Sequence, residues 1–134
     1  MRVLMSAFTV LTGLAIGVSS ASPITLKRGL WATAPGCAVL QKAERRHHMS
    51  NADVVDGGIT GRSIFMEVDR NSIGWVDLVC QVTKTTGNGP ATIHALRCRG
   101  DNTRSYNGKV RSVTPYRIQF IGTRPTSGSY YFCR

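Results

Sequence analysis

The chain has 134 residues, of which 42% are hydrophobic, and a formal net charge of +10. Beyond the first 21 residues its length allows one domain with a modest core, and no later apolar stretch is long enough to span a membrane. The charge is uneven, because residues 22–83 carry seven basic against six acidic side chains, whereas residues 84–134 carry nine against one. This asymmetry predicts an electropositive face in the second half, which would attract polyanions or acidic partners.

The first 21 residues have the three-part pattern of a secretory signal peptide. A positively charged start at Met1–Arg2 precedes an uncharged apolar run over residues 3–18, and small residues follow up to Ala21. A signal anchor is the alternative, but two glycines interrupt the run and it is shorter than a typical membrane span. We therefore expect cleavage after Ala21, export to the periplasm or the medium, and a single mature domain over residues 22–134.

Turn-forming residues recur about every eight to twelve positions, as in an all-β domain. The predicted strands are Gly29–Thr33, Ser63–Val68, Gly74–Thr83, Ala91–Cys98, Val110–Val113, Tyr116–Gly122 and Ser129–Cys133. Residues 38–48 are predicted to form one short helix, and residues 51–58 are predicted to form a loop. About seven short, mostly antiparallel strands with one helix predict a mainly β fold, either a small barrel or a strongly curved sheet.

Two further sequence patterns predict how the strands pair. The stretch from Gly87 to Pro90 is a turn between two strands, and a hairpin centred on Gly89 places Cys80 opposite Cys98. In the strand 74–83, even-numbered residues from Val76 onward would share one face, with Trp75 on the other. The stretch Tyr106–Lys109 contains Asn-Gly and predicts a second hairpin turn.

The four cysteines predict two disulfides, because an even number in a small exported domain forms a disulfide framework. Directly opposed antiparallel residues are close enough for a disulfide, which favours Cys80 with Cys98 and leaves Cys37 for Cys133. Four cysteines permit three pairings, so the others stay open at this point. Successive cysteines are 43, 18 and 35 positions apart, which does not fit a thiolate zinc site, and we predict neither a metal nor a cofactor.

The chain resembles small exported four-cysteine proteins of alphaproteobacteria. The resemblance covers Gly29 to Arg134 and depends on the start GLWATAPGC, a strand ending LRCRG, and the C-terminal YYFCR. It implies export and this fold, and it supplies no active site, since that group is largely uncharacterised. The Gly-x-Trp start is also similar to that of lipocalin-like barrels and of small barrel inhibitors of bacterial metalloproteases, although those inhibitors usually have half as many cysteines.

The basic second half contains the candidate anion-binding residues. Arginine outnumbers lysine there, which suits paired contacts to phosphate, sulfate or carboxylate groups. The candidates are Arg97, Arg99, Arg104, Lys109, Arg111, Arg117 and Arg124. Tyrosines interleave with them in sequence, as on a polyanion-binding surface. The alternative is that the tyrosines fill the core and the basic residues only confer solubility.

These patterns predict an exported, non-enzymatic binding protein. Its partner would be an anionic envelope component, such as a glycan or lipopolysaccharide, or an acidic protein. Nucleic acid is possible and is not favoured outside the cytoplasm.

Two other classes of function stay open. The first is a small secreted hydrolase resembling a nuclease, with Glu67 as base, His94 as acid and Arg97 on the phosphate. No local motif brings these side chains together, and His94 shares its predicted strand face with Leu96. The second is a secreted inhibitor or effector. The adjacent His47 and His48 diverge on a helix and are better explained as a solvated basic helix end than as a metal site.

Overall fold

The computed structural model describes residues 22–56, 64–100, 104–121 and 128–134. The predicted signal peptide therefore lies outside the described residues. The elements in chain order are β1 Gly29–Ala32, α1 Gly36–Glu44, α2 Asn51–Val55, β2 Phe65–Asp69, β3 Ser72–Gly74, β4 Leu78–Thr86, β5 Thr92–Gly100, β6 Tyr106–Thr114, β7 Arg117–Ile121 and β8 Gly128–Phe132. No helix in the described ranges is long and apolar enough to cross a membrane.

The strands form a closed antiparallel barrel in which each strand pairs with its neighbours in sequence, and β8 closes the barrel against β1. The mainly β fold with a small barrel is therefore confirmed, with eight strands instead of about seven. Closure of the described strands removes the two free edges that an open sheet would offer to another chain. Because the order is sequential, each segment of the chain forms one sector of the barrel wall.

The additional strand comes from a break in the predicted strand 74–83. The backbone N–H of Trp75 donates to the carbonyl of Leu78, which turns the chain between β3 and β4. This turn buries the Trp75 side chain in the barrel interior and leaves Val76 exposed, the reverse of the predicted faces. The free energy gained by burying the large indole ring of Trp75 outweighs the cost of interrupting the strand.

The β4–β5 hairpin forms where it was predicted, with Cys80 directly opposite Cys98. Gly87 and Gly89 have positive φ angles of 79° and 51°, a conformation that glycine adopts at little cost. The predicted shared face of His94 and Leu96 on β5 is also confirmed, since both are buried, together with Thr92 and Cys98.

The hairpin turn predicted at Tyr106–Lys109 is wrong, because these residues lie within β6. Gly108 pairs with Leu96 on β5, and Asn107 pairs with Arg97. Pairing along the whole of β5 outweighs the local preference of Asn-Gly for a turn. The break predicted between Val113 and Tyr116 does form, as the turn between β6 and β7, where the N–H of Tyr116 donates to the Thr114 hydroxyl.

The barrel interior is the main hydrophobic core. Two tryptophans, Trp31 and Trp75, lie in it together with Phe120, Tyr130 and the Cys80–Cys98 disulfide. Near the β4–β5 turn the interior becomes polar, with buried Thr92, His94 and Ser112. The segment before β1 covers this region: the backbone N–H of Ile24 donates to the Thr92 hydroxyl, and Leu26 packs into the core.

The helices pack on the outside of β1 and β2. Helix α1 begins two residues before the predicted range 38–48 and ends four residues before its end. Helix α2 forms within residues 51–58, where we predicted a loop. The Ser50 hydroxyl caps α2 by accepting from the N–H of Asp53, and the helix buries Val54 and Val55. Burial of these two valines outweighs the turn-forming composition around them.

Contacts of Cys133 and Arg134 attach the two helices to the barrel. A disulfide joins Cys37 at the start of α1 to Cys133 after β8, which confirms the second predicted pairing. Arg134 forms an ion pair with Glu44 and donates to the Asn51 side chain and to the Met49 carbonyl. One residue thus ties the end of α1, the loop and the start of α2 to the end of the chain.

Candidate polyanion-binding face

The outer surface of β4–β7 carries most of the basic side chains of the second half. On β5, alternation directs Leu96 and Cys98 inward and leaves Arg97 and Arg99 exposed on the outside. On β6, Lys109 and Arg111 are exposed on either side of the buried Val110.

A β-bulge adds one further cation to this surface. The register of β4 against β5 shifts between Val82 and Lys84, so Lys84 pairs with the outward-facing Ala95. Without the shift, alternation from the inward Cys80 would direct Lys84 into the barrel. Lys84 was not among the predicted site residues, because a bulge cannot be read from alternation alone.

We call this surface the basic face and define it by six outward side chains on four consecutive strands: Lys84, Arg97, Arg99, Lys109, Arg111 and Arg117. The strands β4–β8 contain no Asp or Glu. The salt bridges among the described residues, Arg28 with Asp69 and Arg134 with Glu44, involve none of the six. The positive charge of this face is therefore not neutralised by the described part of the protein.

Two of these arginines make contacts that hold their side chains along the surface. The Arg111 guanidinium donates to the Gln119 side chain at 3.5 Å, and Arg117 donates to the Ser129 hydroxyl at 3.4 Å. The Arg117 guanidinium also lies 5.7 Å from the centre of the Tyr131 ring. Each guanidinium has five N–H donors, so most of them remain for a ligand.

Five of the seven predicted anion-binding residues thus lie on the basic face. Arg104 is exposed just before β6. Arg124 lies outside the described residues.

The tyrosines do not interleave with the cations as their sequence order suggested. Tyr130 is buried in the core, and Tyr106 packs against it. Tyr116 is exposed at the β6–β7 turn, where the Lys27 ammonium lies 4.5 Å from its ring centre. Tyr131 lies against a cation of the basic face, Arg117. Among the residues that the structure describes, the neighbours of Lys109 and Arg111 in the middle of the basic face include none of the aromatic platforms on which nucleic-acid bases stack.

The three residues of the hydrolase alternative do not converge. His94 is 3% exposed inside the barrel, where its Nε2 lies 2.8 Å from the Ser112 hydroxyl and its Nδ1 lies 3.0 Å from the Thr85 hydroxyl. Glu67 is on β2, hydrogen-bonded to Asn51 of α2 on the outer surface, and Arg97 is on the outside of β5. Burial in the barrel lowers the pKa of His94, because desolvation disfavours the charged imidazolium.

Elsewhere on the barrel, a shallow groove of about 240 Å³ lies between α2 and strands β2–β4. Its lining includes the carboxylates of Asp56, Glu67 and Asp69. Trp75 also lines it, and the buried indole Nε1 of this residue has no hydrogen-bond partner in the described chain. In the described ranges no group of three or more His, Cys, Asp or Glu side chains is arranged to hold a metal ion, and His47 and His48 are exposed beyond α1.

The fold and these contacts define the protein as a small, disulfide-bonded antiparallel β-barrel with one basic face. No protein-family model, no curated protein and no solved structure matches the chain. Its functional assignment therefore depends on the geometry and charge of the basic face.

Proposed function

We propose that this is an exported, non-enzymatic binding protein that engages an anionic component of the cell envelope through its basic face. The observation that carries the proposal is the set of six outward cations on β4–β7, with no acidic residue on those strands. An array of this kind attracts polyanions by charge and by the release of their counterions.

The composition of the face favours a polyanion over an acidic protein partner. Protein interfaces are usually anchored by buried aromatic side chains, above all Trp and Tyr, in a central pocket. The outward neighbours of Lys109 and Arg111 in the middle of the basic face are Ala95, Ile93, Gln119 and Ile121, none of which is aromatic. Among the described residues, the centre of the face offers charge, hydrogen bonds and two isoleucines but no aromatic anchor.

Export is supported by the pattern of residues 1–21 and by the two disulfides. Structural disulfides persist in oxidising compartments and are rare in the cytosol. The non-enzymatic assignment is supported by the separation of Glu67, His94 and Arg97 described above.

The test is a binding titration of the purified, oxidised protein with fluorescently labelled heparin as a sulfated polysaccharide probe. We expect binding at low salt and a linear fall of log K with log salt concentration between about 50 and 200 mM. Absence of binding at the lowest salt, or binding that salt does not weaken, would contradict the proposal.

A parallel incubation with RNA separates this proposal from the hydrolase alternative. We expect the RNA to stay intact, because Glu67 and His94 lie on different sides of the barrel wall. Cleavage that is lost in both Glu67→Gln and His94→Gln variants would overturn the non-enzymatic assignment. The oxidised folded state of each variant would be verified by its circular dichroism spectrum.

A further inference from the structure

Five cations of the basic face follow one oblique line across the barrel wall. Arg99 and Arg97 are two residues apart on β5, and Arg97 pairs with Asn107 of β6. Lys109 lies two residues further along β6, followed by Arg111 after two more. Each of these steps descends toward the end of the barrel that contains the β4–β5 turn.

The line continues onto β7. Arg111 pairs with Gln119, and Arg117 lies two residues away on β7 in the same descending direction. We call this line the cation band; it consists of Arg99, Arg97, Lys109, Arg111 and Arg117. Lys84 lies beside it, because Lys84 and Lys109 flank Ala95 in one cross-strand row.

The spacing of the cation band is nearly regular. Two residues along a strand span about 7 Å, and diagonal neighbours on adjacent strands are separated by about 7–8 Å. The band therefore extends over roughly 28 Å by the same spacings. A compact anion such as a single phosphate could contact only one or two of its members.

Between and beside the cations the face presents hydrogen-bonding groups. Asn107 and Gln81 flank Arg97, and Gln119 flanks Arg111. Amide side chains both donate and accept, which suits the hydroxyl groups of a sugar chain. Tyr131 provides an aromatic platform at the Arg117 end of the band. The described neighbours of Lys109 and Arg111 are not aromatic, so they offer successive nucleobases nothing to stack on in the middle of the band.

We infer that the cation band is a binding track for a linear acidic polysaccharide that lies along the barrel wall, with carboxylate or sulfate groups contacting successive cations. This inference rests on the proposed function and adds the shape and the chemical class of the ligand. It requires affinity to increase with ligand length until the chain covers the whole band.

The experiment measures affinity for labelled heparin-derived oligosaccharides of increasing length at one low salt concentration. Affinity is expected to increase more than tenfold from the shortest oligosaccharide to one of roughly 28 Å, and then to level off. An affinity that increases only in proportion to the number of anionic groups, without levelling off at any length, would overturn the cation band. Failure of wild type to bind even long heparin would instead overturn the proposed function, so the two failures are distinguishable.

A composition-matched variant tests the spacing directly. The double substitution Asn107→Lys with Lys109→Asn exchanges two exposed residues on β6 and keeps the net charge. It removes the middle cation of the band and adds a cation at position 107, directly opposite Arg97. We expect at least a fivefold loss of affinity for the longest oligosaccharide and little change for the shortest. Unchanged affinity for both would contradict a spaced track.

Single-stranded oligo(dT) of matched length is the comparison for ligand class. The missing aromatic platforms predict weaker binding of oligo(dT) than of the oligosaccharide at equal salt. Tighter binding of oligo(dT) would overturn the assignment to polysaccharide.

Discussion

The barrel has two differently constructed sides. Strands β1 and β2 are covered by α1 and α2, and this side contains a second apolar cluster, the Cys37–Cys133 disulfide and the Arg134–Glu44 ion pair. In the described ranges no helix packs on strands β4–β7, and their outer surface carries the six cations of the basic face. The covered side uses its side chains for internal contacts, whereas the uncovered side presents them to solvent.

This difference follows from the sequential order of the strands. In a meander, neighbouring strands in space are neighbours in sequence, so one half of the chain forms one sector of the wall. The excess of basic residues from position 84 onward therefore becomes a basic face. In a fold with long crossovers, strands from both halves would alternate around the sheet and the same charges would be diluted.

The largest expected effect on stability is loss of the disulfide on the covered side. Replacing both Cys37 and Cys133 with Ala is expected to lower the free energy of unfolding by about 4 kcal/mol, because the bond closes a long loop. Urea denaturation of the variant and of the oxidised wild type measures this difference. A loss below about 1 kcal/mol would show that this disulfide does not hold the helical layer.

The second-largest loss of stability is expected on removal of the Arg134 side chain. Arg134→Ala breaks the ion pair with Glu44 and the bonds to Asn51 and Met49. About 2 kcal/mol of stability is expected to be lost, since the Glu44 carboxylate is left mostly buried without its partner. Arg99→Ala is the control, and as an exposed site of the basic face it should cost less than about 0.5 kcal/mol. Equal losses would remove the distinction between the two sides.

A smaller effect concerns the buried histidine. Burial lowers the pKa of His94 below its value in the unfolded chain, so the unfolded state binds the proton first as the pH falls. Stability should therefore decrease as the pH falls below about 6.5, continuing down to the folded-state pKa of His94. His94→Gln should remove this part of the pH dependence, measured as urea midpoints at neutral and mildly acidic pH. An identical dependence in both proteins would exclude His94 as its source.

The smallest effect on stability is expected on the basic face itself. Arg111→Glu with Arg117→Glu should change the free energy of unfolding by less than about 0.5 kcal/mol, because both side chains are exposed. Their hydrogen bonds to Gln119 and Ser129 are long and solvent-exposed. Thermal or urea unfolding gives this value, and a loss above about 2 kcal/mol would mean that the basic face is also structural.

Much of the fold could be predicted because its signals are local. Alternation along 92–98 and the glycines at the turn determine the β4–β5 hairpin, and hence the Cys80–Cys98 pair. The remaining two cysteines then form the second bond. The basic character of the second half can likewise be counted directly from the sequence.

What could not be predicted depends on contacts between distant segments. Trp75 breaks a strand because the barrel interior accommodates its ring, and Asn107-Gly108 stays extended because β5 pairs with it. The bulge that turns Lys84 outward cannot be recognised from the pattern of hydrophobic residues. The diagonal alignment of the cations needs the register of three strands, which the sequence alone does not provide.

The most direct test of the account compares two charge reversals of equal size. Arg111→Glu with Arg117→Glu alters the basic face, and Lys42→Glu with Arg46→Glu alters exposed residues of α1 and its C-terminal end. Both lower the net charge by the same amount, so a difference in heparin affinity reports position and not total charge. We predict at least a tenfold loss of affinity for the first variant and less than a twofold loss for the second. Equal losses in the two variants would contradict a binding site on the basic face.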